Sequence, residues 1–246
     1  PIKSSAASDV YKRQMLDYVK ETPDVLKTNI EQYTTLVDPL MKEVQQKEIK
    51  RILLVASGSS HNACYCARSF VEKVSGLEVR IIMPYTFTYY ENDIKENDLV
   101  LVVTQSGLST NAIEALKIIK KKECRAICLT GNKNSDVKDV ADVVIEYGVG
   151  EELVGYVTKG VSSLALFLDL FAIAYSGKIE YLDELKKAVD LNEEMIDQAT
   201  SFIQQHYKNF SSMSWVYSCG AGANYGTALE SALKTVSYTH LRAHET

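Results

Sequence analysis

Five short apolar runs punctuate the first 150 positions, near 51–56, 78–82, 98–103, 124–129 and 142–145. They are continuously apolar instead of alternating, so both faces of the strands they predict must be covered. Between them lie stretches of helical spacing near 61–75, 110–122 and 134–140. Strand and helix in alternation predict an α/β fold, a doubly wound, five-stranded parallel sheet flanked by helices. In such a sheet the ligand crevice lies beyond the carboxyl ends of the strands.

Ahead of the sheet, positions 15–46 carry apolar residues at helical spacing, including Leu16, Val19, Leu26, Ile30, Leu36, Leu40 and Val44. One or two leading helices are expected there, with Pro23 and Pro39 near their starts or breaks. Positions 158–175 read as a further helix, interrupted by Ser162, Ser163 and Asp169 and short of a membrane span. A charged, helical bridge follows at 178–197. The pattern then starts again: Ser214-Trp215-Val216-Tyr217-Ser218 predicts a strand, Cys219 to Asn224 a glycine turn, and an apolar helix comes next. Laid over Ile52 to Ala63, Gly220 falls on Gly58, Gly222 on Ser60 and Asn224 on Asn62, an internal repeat of strand, turn and helix.

The expected division is therefore leading helices at 15–49, a first sheet domain at 50–178, a helical bridge at 179–210 and the truncated start of a second, similar domain at 211–236. The ends, 1–14 and 237–246, break the patterns beside them and read as non-native tails of the adaptor read-through kind.

Composition narrows the function classes. The formal charge of −5 comes with no basic stripe, since Lys120-Lys121-Lys122 reads as a helix end, so no nucleic-acid partner is expected. No membrane partner is expected either. The five cysteines, Cys64, Cys66, Cys124, Cys128 and Cys219, lie in or beside predicted core elements, which suits reduced thiols and a cytoplasmic chain. Cys64 and Cys66 diverge on a helix and Cys124 and Cys128 share a strand, so no metal is expected. No G-x-G-x-x-G fingerprint follows the first strand, and no cofactor is expected.

Two hydroxyl-rich turns carry the chemistry: Ser57-Gly58-Ser59-Ser60 after the first strand and Thr104-Gln105-Ser106-Gly107-Leu108-Ser109-Thr110 after the third. Such turns gather free backbone N–H groups, hydroxyls and the positive end of a helix dipole, which together suit a phosphate dianion. For Ser59 and Ser60, helix capping is an equally good use. The second loop offers five polar side chains in seven residues, more than a cap requires. Glu230 and Lys234 have i,i+4 spacing and read, on their own, as a surface ion pair. Glu151 and Glu152 read as solvated loop acids or a base. His61 reads as a capping or solvent-facing residue, and His206 as structural.

The SGSS and TQSGLST loops, with the strand order and the half-repeat, resemble the sugar isomerase (SIS) domain family. Within it the likeness is to the isomerase half of glutamine:fructose-6-phosphate aminotransferases and to related sugar-phosphate deaminases and deglycases. It covers about 15–235 and includes Glu152 to Lys159 (ELVGYVTK) and Ala228 to Lys234 (ALESALK) as third and fourth signature segments. The resemblance implies that Ser59, Ser60, Thr104, Gln105, Ser106 and Ser109 surround a hexose 6-phosphate or amino-sugar phosphate. It places Gly155, often valine in relatives, beside the sugar. It assigns Glu230, Lys234 and Glu152 as catalytic candidates. Leu108 departs from the family, which commonly has Glu or Thr there.

The family's principal base, ring-opening histidine and imine-forming lysine fall beyond Thr235. The expectation is thus a sugar-phosphate-binding fragment of an aldose–ketose isomerase, deaminase or deglycase, itself turning over poorly, from a parent without a glutaminase domain. A homodimer is implied for that parent. The alternative from a different class is a non-catalytic sugar-phosphate sensor.

Overall fold

The computed structural model of the chain describes residues 2–45, 47–152 and 157–238, with backbone alone for 2–14 and 238. Two helices lead, α1 (Ile2–Glu31) and α2 (Tyr33–Val44). The sheet follows as β1 (Arg51–Ala56), α3 (Gly58–Ser75), β2 (Glu78–Ile82), α4 (Pro84–Tyr89), β3 (Asp98–Thr104), α5 (Thr110–Lys121), β4 (Ile127–Thr130) and β5 (Val143–Glu146). A 3-10 turn, Asp136–Asp139, stands between the last two strands. Four helices close the chain: α6 (Lys159–Ser176), α7 (Tyr181–Gln205), α8 (Tyr207–Ser212) and α9 (Ala223–Tyr238).

The strands pair in parallel in the order β2-β1-β3-β4-β5, as the continuous apolar runs require. Side chains alternate between two cores. Ile52, Leu54, Leu99, Leu101 and Val103 face α1, α2, α3 and α6, whereas Leu53, Val55, Val100 and Val102 face α4 and α5. The strand order turns back at β1, so the crevice of this topology opens between β1 and β3, where both hydroxyl loops emerge. At the opposite end of the same strands, Arg51 grips Asp98 with two hydrogen bonds of 2.9 and 2.6 Å and fixes their register.

The central helix of the first core is α6. It is apolar and long enough to cross a membrane, but Leu164, Phe167, Leu168, Leu170, Phe171 and Ile173 are buried in the core it shares with α2 and α3. Each fully buried phenylalanine there contributes about 2–3 kcal/mol.

The prolines do not mark the helix ends. Pro23 and Pro39 sit inside α1 and α2, and the break falls at Gln32, whose φ and ψ of −102° and 19° leave the helical region. A proline removes one intrahelical hydrogen bond, but around Pro39 the burial of Val37, Leu40 and Val44 offsets that loss. The expected strand at 214–218 is also corrected. Residues 213–222 run exposed and unladdered, because no strand among the described residues lies beside them to accept their hydrogen bonds. Cys124 precedes β4 and does not share its strand with Cys128.

α9 is nonetheless seated. It crosses α3 at Gly226, where a Cβ would stand 2.6 Å from the Asn62 carbonyl and the Cys66 nitrogen. Both turns contain a left-handed glycine, Gly58 at φ 55° and Gly222 at φ 59°.

Candidate functional site

The first loop forms because β1 ends in a buried run and Gly58 takes a positive φ of 55°, turning the chain at once into α3. The second loop is longer and braced from below. Gly107, at φ 68°, lies where a Cβ would fall 1.7 Å from the Ser135 hydroxyl, so no other residue fits that backbone. Its carbonyl accepts from the Val137 nitrogen at 3.2 Å, and the Gln105 carbonyl accepts from the Gly131 nitrogen at 3.0 Å. The buried Thr130 hydroxyl adds a bond of 3.3 Å to that Gln105 carbonyl.

These loops face each other across a cleft of about 650 Å³, a volume in the range of small-ligand sites. Ser57, Ser59, Ser60, Thr104, Gln105, Ser106 and Leu108 line it, with Gly131 and Asn132 from the end of β4 and Gly150, Glu151, Glu152 and Val157 from the chain after β5. The amino ends of α3 and α5 converge on this region, and among the described lining residues none is Lys or Arg. An anion at the two loops meets neutral N–H and O–H donors and two helix dipoles, while Glu151 and Glu152 put carboxylates on another part of the lining.

The predicted site residues divide into four groups. Ser59, Ser60, Thr104, Gln105, Ser106 and Glu152 are together at the cleft. Ser109 is not among the lining residues: its hydroxyl caps α5, accepting from the Ala112 nitrogen at 3.4 Å. Glu230 and Lys234 stand one side chain behind Ser59, on α9, and line a neighbouring cavity of about 530 Å³ with Cys66 and Thr227. Gly155 lies outside the described residues.

The two acids are firmly held. Glu152 Oε1 accepts from the Thr158 and Lys159 nitrogens at 2.7 and 2.9 Å, and Oε2 from the Gly160 nitrogen at 3.1 Å, so the carboxylate caps the positive end of α6. Its Oε2 also accepts from Gln105 Nε2 at 2.9 Å. Glu230 Oε1 accepts from the Ser59 hydroxyl at 2.9 Å and pairs with Lys234 Nζ at 2.9 Å, while Oε2 accepts from Asn62 Nδ2 at 2.8 Å. Lys234 further donates to Ser59 Oγ at 3.3 Å and to the Val157 carbonyl. This pair therefore joins α9 to the first loop and is no isolated surface bridge. His61 packs edge-on against Tyr65, and burial lowers its pKa below the ordinary imidazole value.

Sequence reasoning missed Gly131, Asn132 and Tyr147. The first two follow a strand end with a glycine, the same signal as the other loops. Tyr147 carries no such signal, yet its buried hydroxyl donates to Gln105 Oε1.

Comparison with known proteins agrees with this architecture. Residues 47–174 match the model of the SIS domain. The glutamine–fructose-6-phosphate aminotransferase (isomerizing) of Clostridium perfringens is 27% identical over 250 residues, covering 95% of this chain and 41% of that protein. This chain thus spans about two fifths of the length of such curated relatives. Among solved structures, the C-terminal domain of glucosamine-fructose-6-phosphate aminotransferase from Francisella tularensis superposes with a TM-score of 0.76 at 24% identity, over 94% of this chain and 69% of that one. Glucosamine-6-phosphate deaminase from Thermotoga maritima gives 0.66 at 20% identity, over 95% and 70%. With the five-stranded parallel sheet and the paired hydroxyl loops already in view, the match over more than half its length makes this chain a member of the SIS domain family.

Proposed function

We propose that the cleft between the two loops binds the phosphate of a hexose 6-phosphate or amino-sugar phosphate, in a protein that acts on such sugars as an isomerase, deaminase or deglycase. One observation carries the reading: two helix amino ends and the hydroxyls of Ser59, Ser60, Thr104 and Ser106 converge on one cleft of hexose-phosphate size. The curated relatives named for fructose 6-phosphate support the sugar.

In this reading the loops bind and orient. The phosphate sits against α3 and α5, and the sugar carbons extend toward Ser59 and the chain after β5. Moving a proton between adjacent carbons needs a carboxylate or equivalent base, and ring opening needs an acid. Glu152, with three backbone N–H groups upon it, serves to anchor α6 against the cleft. Lys234 and Glu230 reach the sugar through Ser59, whose hydroxyl touches both of them.

Calorimetric titration tests the assignment. Glucosamine 6-phosphate and fructose 6-phosphate are expected to bind, and unphosphorylated glucosamine at least tenfold more weakly, since about 1.5–3 kcal/mol follows from each hydrogen bond to a charged group. Equal binding of sugar and sugar phosphate overturns it.

A further inference from the structure

The half-buried Gln105 side chain lies in a slot that opens on the cleft and is walled elsewhere by unlike groups. The Tyr147 hydroxyl donates to its amide oxygen, and its amide nitrogen donates one proton to Glu152 Oε2 at 2.9 Å. Two glycines flank it: a Cβ on Gly160 would stand 2.4 Å from Gln105 Oε1 and 2.8 Å from Cδ, and one on Gly131 would stand 3.4 Å from Cδ. Tyr147 itself is wholly buried, and burial together with the Glu152 carboxylate raises its pKa, so its hydroxyl stays a donor. An amide whose oxygen and one proton are both spent has a single proton left. Gln105 lines the cleft, and among the described residues that proton has no acceptor.

We infer that Tyr147 is a positioning residue for ligand binding: from outside the cleft it pins the Gln105 amide, so that the second Nε2 proton is offered to the bound sugar phosphate. The inference rests on the sugar-phosphate reading above. Tyr147 also ties the end of β5 to the loop after β3, so the donor's place is set by the sheet and not by the loop alone.

Two variants approach the amide from opposite sides. Tyr147→Phe keeps the ring and removes the bond to Oε1. Gly160→Ala adds a Cβ where the amide must give way, at a helical position where alanine ordinarily favours the helix. Each is expected to bind glucosamine 6-phosphate about tenfold more weakly, the loss of one hydrogen bond to a charged or polar ligand group. In both, the Gln105 amide proton bonded to Glu152, expected to exchange slowly in the unaltered chain by nuclear magnetic resonance, should exchange faster. Circular dichroism identifies a variant that fails to fold, and the other then decides. Lowered stability with unchanged affinity and unchanged amide exchange would make Tyr147 structural only and overturn the inference. A chain that shows pinned amide protons but no response to any sugar phosphate overturns the function reading instead, and the binding role of Tyr147 with it.

Discussion

At the scale of single residues, the loops use each hydroxyl differently, although they read alike in sequence. Ser109 caps a helix, Ser59 is tied to Glu230 and Lys234, and Ser106 accepts from the Leu108 nitrogen at 3.2 Å while its side chain remains exposed at the cleft. Of these three serines, Ser106 is thus the one whose hydroxyl is free to donate to an anion in the cleft. Ser106→Ala should weaken glucosamine 6-phosphate binding by about 1–3 kcal/mol with thermal stability unchanged, measured by calorimetry and thermal unfolding. The cleft was legible because glycine and hydroxyl residues at strand ends have a local meaning. The division among Ser59, Ser106 and Ser109 was not, because it depends on Glu230 and Lys234, as much as 175 positions away.

Among elements, the sheet and the helix pair α3–α9 make separate demands. Asp98 joins β1 to β3 through Arg51 and also accepts from the Lys95 nitrogen at 2.7 Å. Burial pushes its carboxyl up, but the Arg51 guanidinium and the Lys95 N–H outweigh this and hold it below the usual carboxylate value. Because its folded pKa is lowered, the stabilisation is complete above the unfolded value and is lost as pH falls through the folded one, below about pH 4. Asp98→Asn should cost about 3 kcal/mol at neutral pH, leaving the half-buried Arg51 without its carboxylate, and should flatten this acid-side loss in urea titrations at several pH values. For α9 the critical residue is Gly226. Gly226→Val places atoms against the α3 backbone and should raise hydrogen exchange through 223–238 while β1 and β3 stay protected.

Element prediction succeeded where periodicity and burial agreed, as in all five strands and in α5 and α6. It failed where tertiary context decides. Pro39 stays helical because its neighbours are buried, and 214–218 lacks a ladder because a strand needs a partner that the sequence pattern does not supply. The short helix α4, Pro84–Tyr89, left no trace in the periodicity, being under two turns long.

For the whole molecule, the sheet domain is complete in its two cores, while the chain after α6 is spread and polar-apolar mixed. Leu191, Met195, Phe202 and Ile203 on α7, with Trp215 and Tyr217 beyond it, are exposed. α9 nevertheless returns to the sheet domain and stands behind Ser59, so the chain after α6 contributes to the wall of the site. The proposed binding accordingly falls to the sheet domain, with α9 as its back support.

The most direct test of that assignment is a crystal structure of the chain with glucosamine 6-phosphate. The account predicts the phosphate between the amino ends of α3 and α5, within hydrogen-bond distance of Ser60, Thr104 or Ser106, and the sugar directed toward Ser59 and Gln105. A phosphate seated elsewhere, such as in the cavity between Cys66 and Thr227, would contradict it.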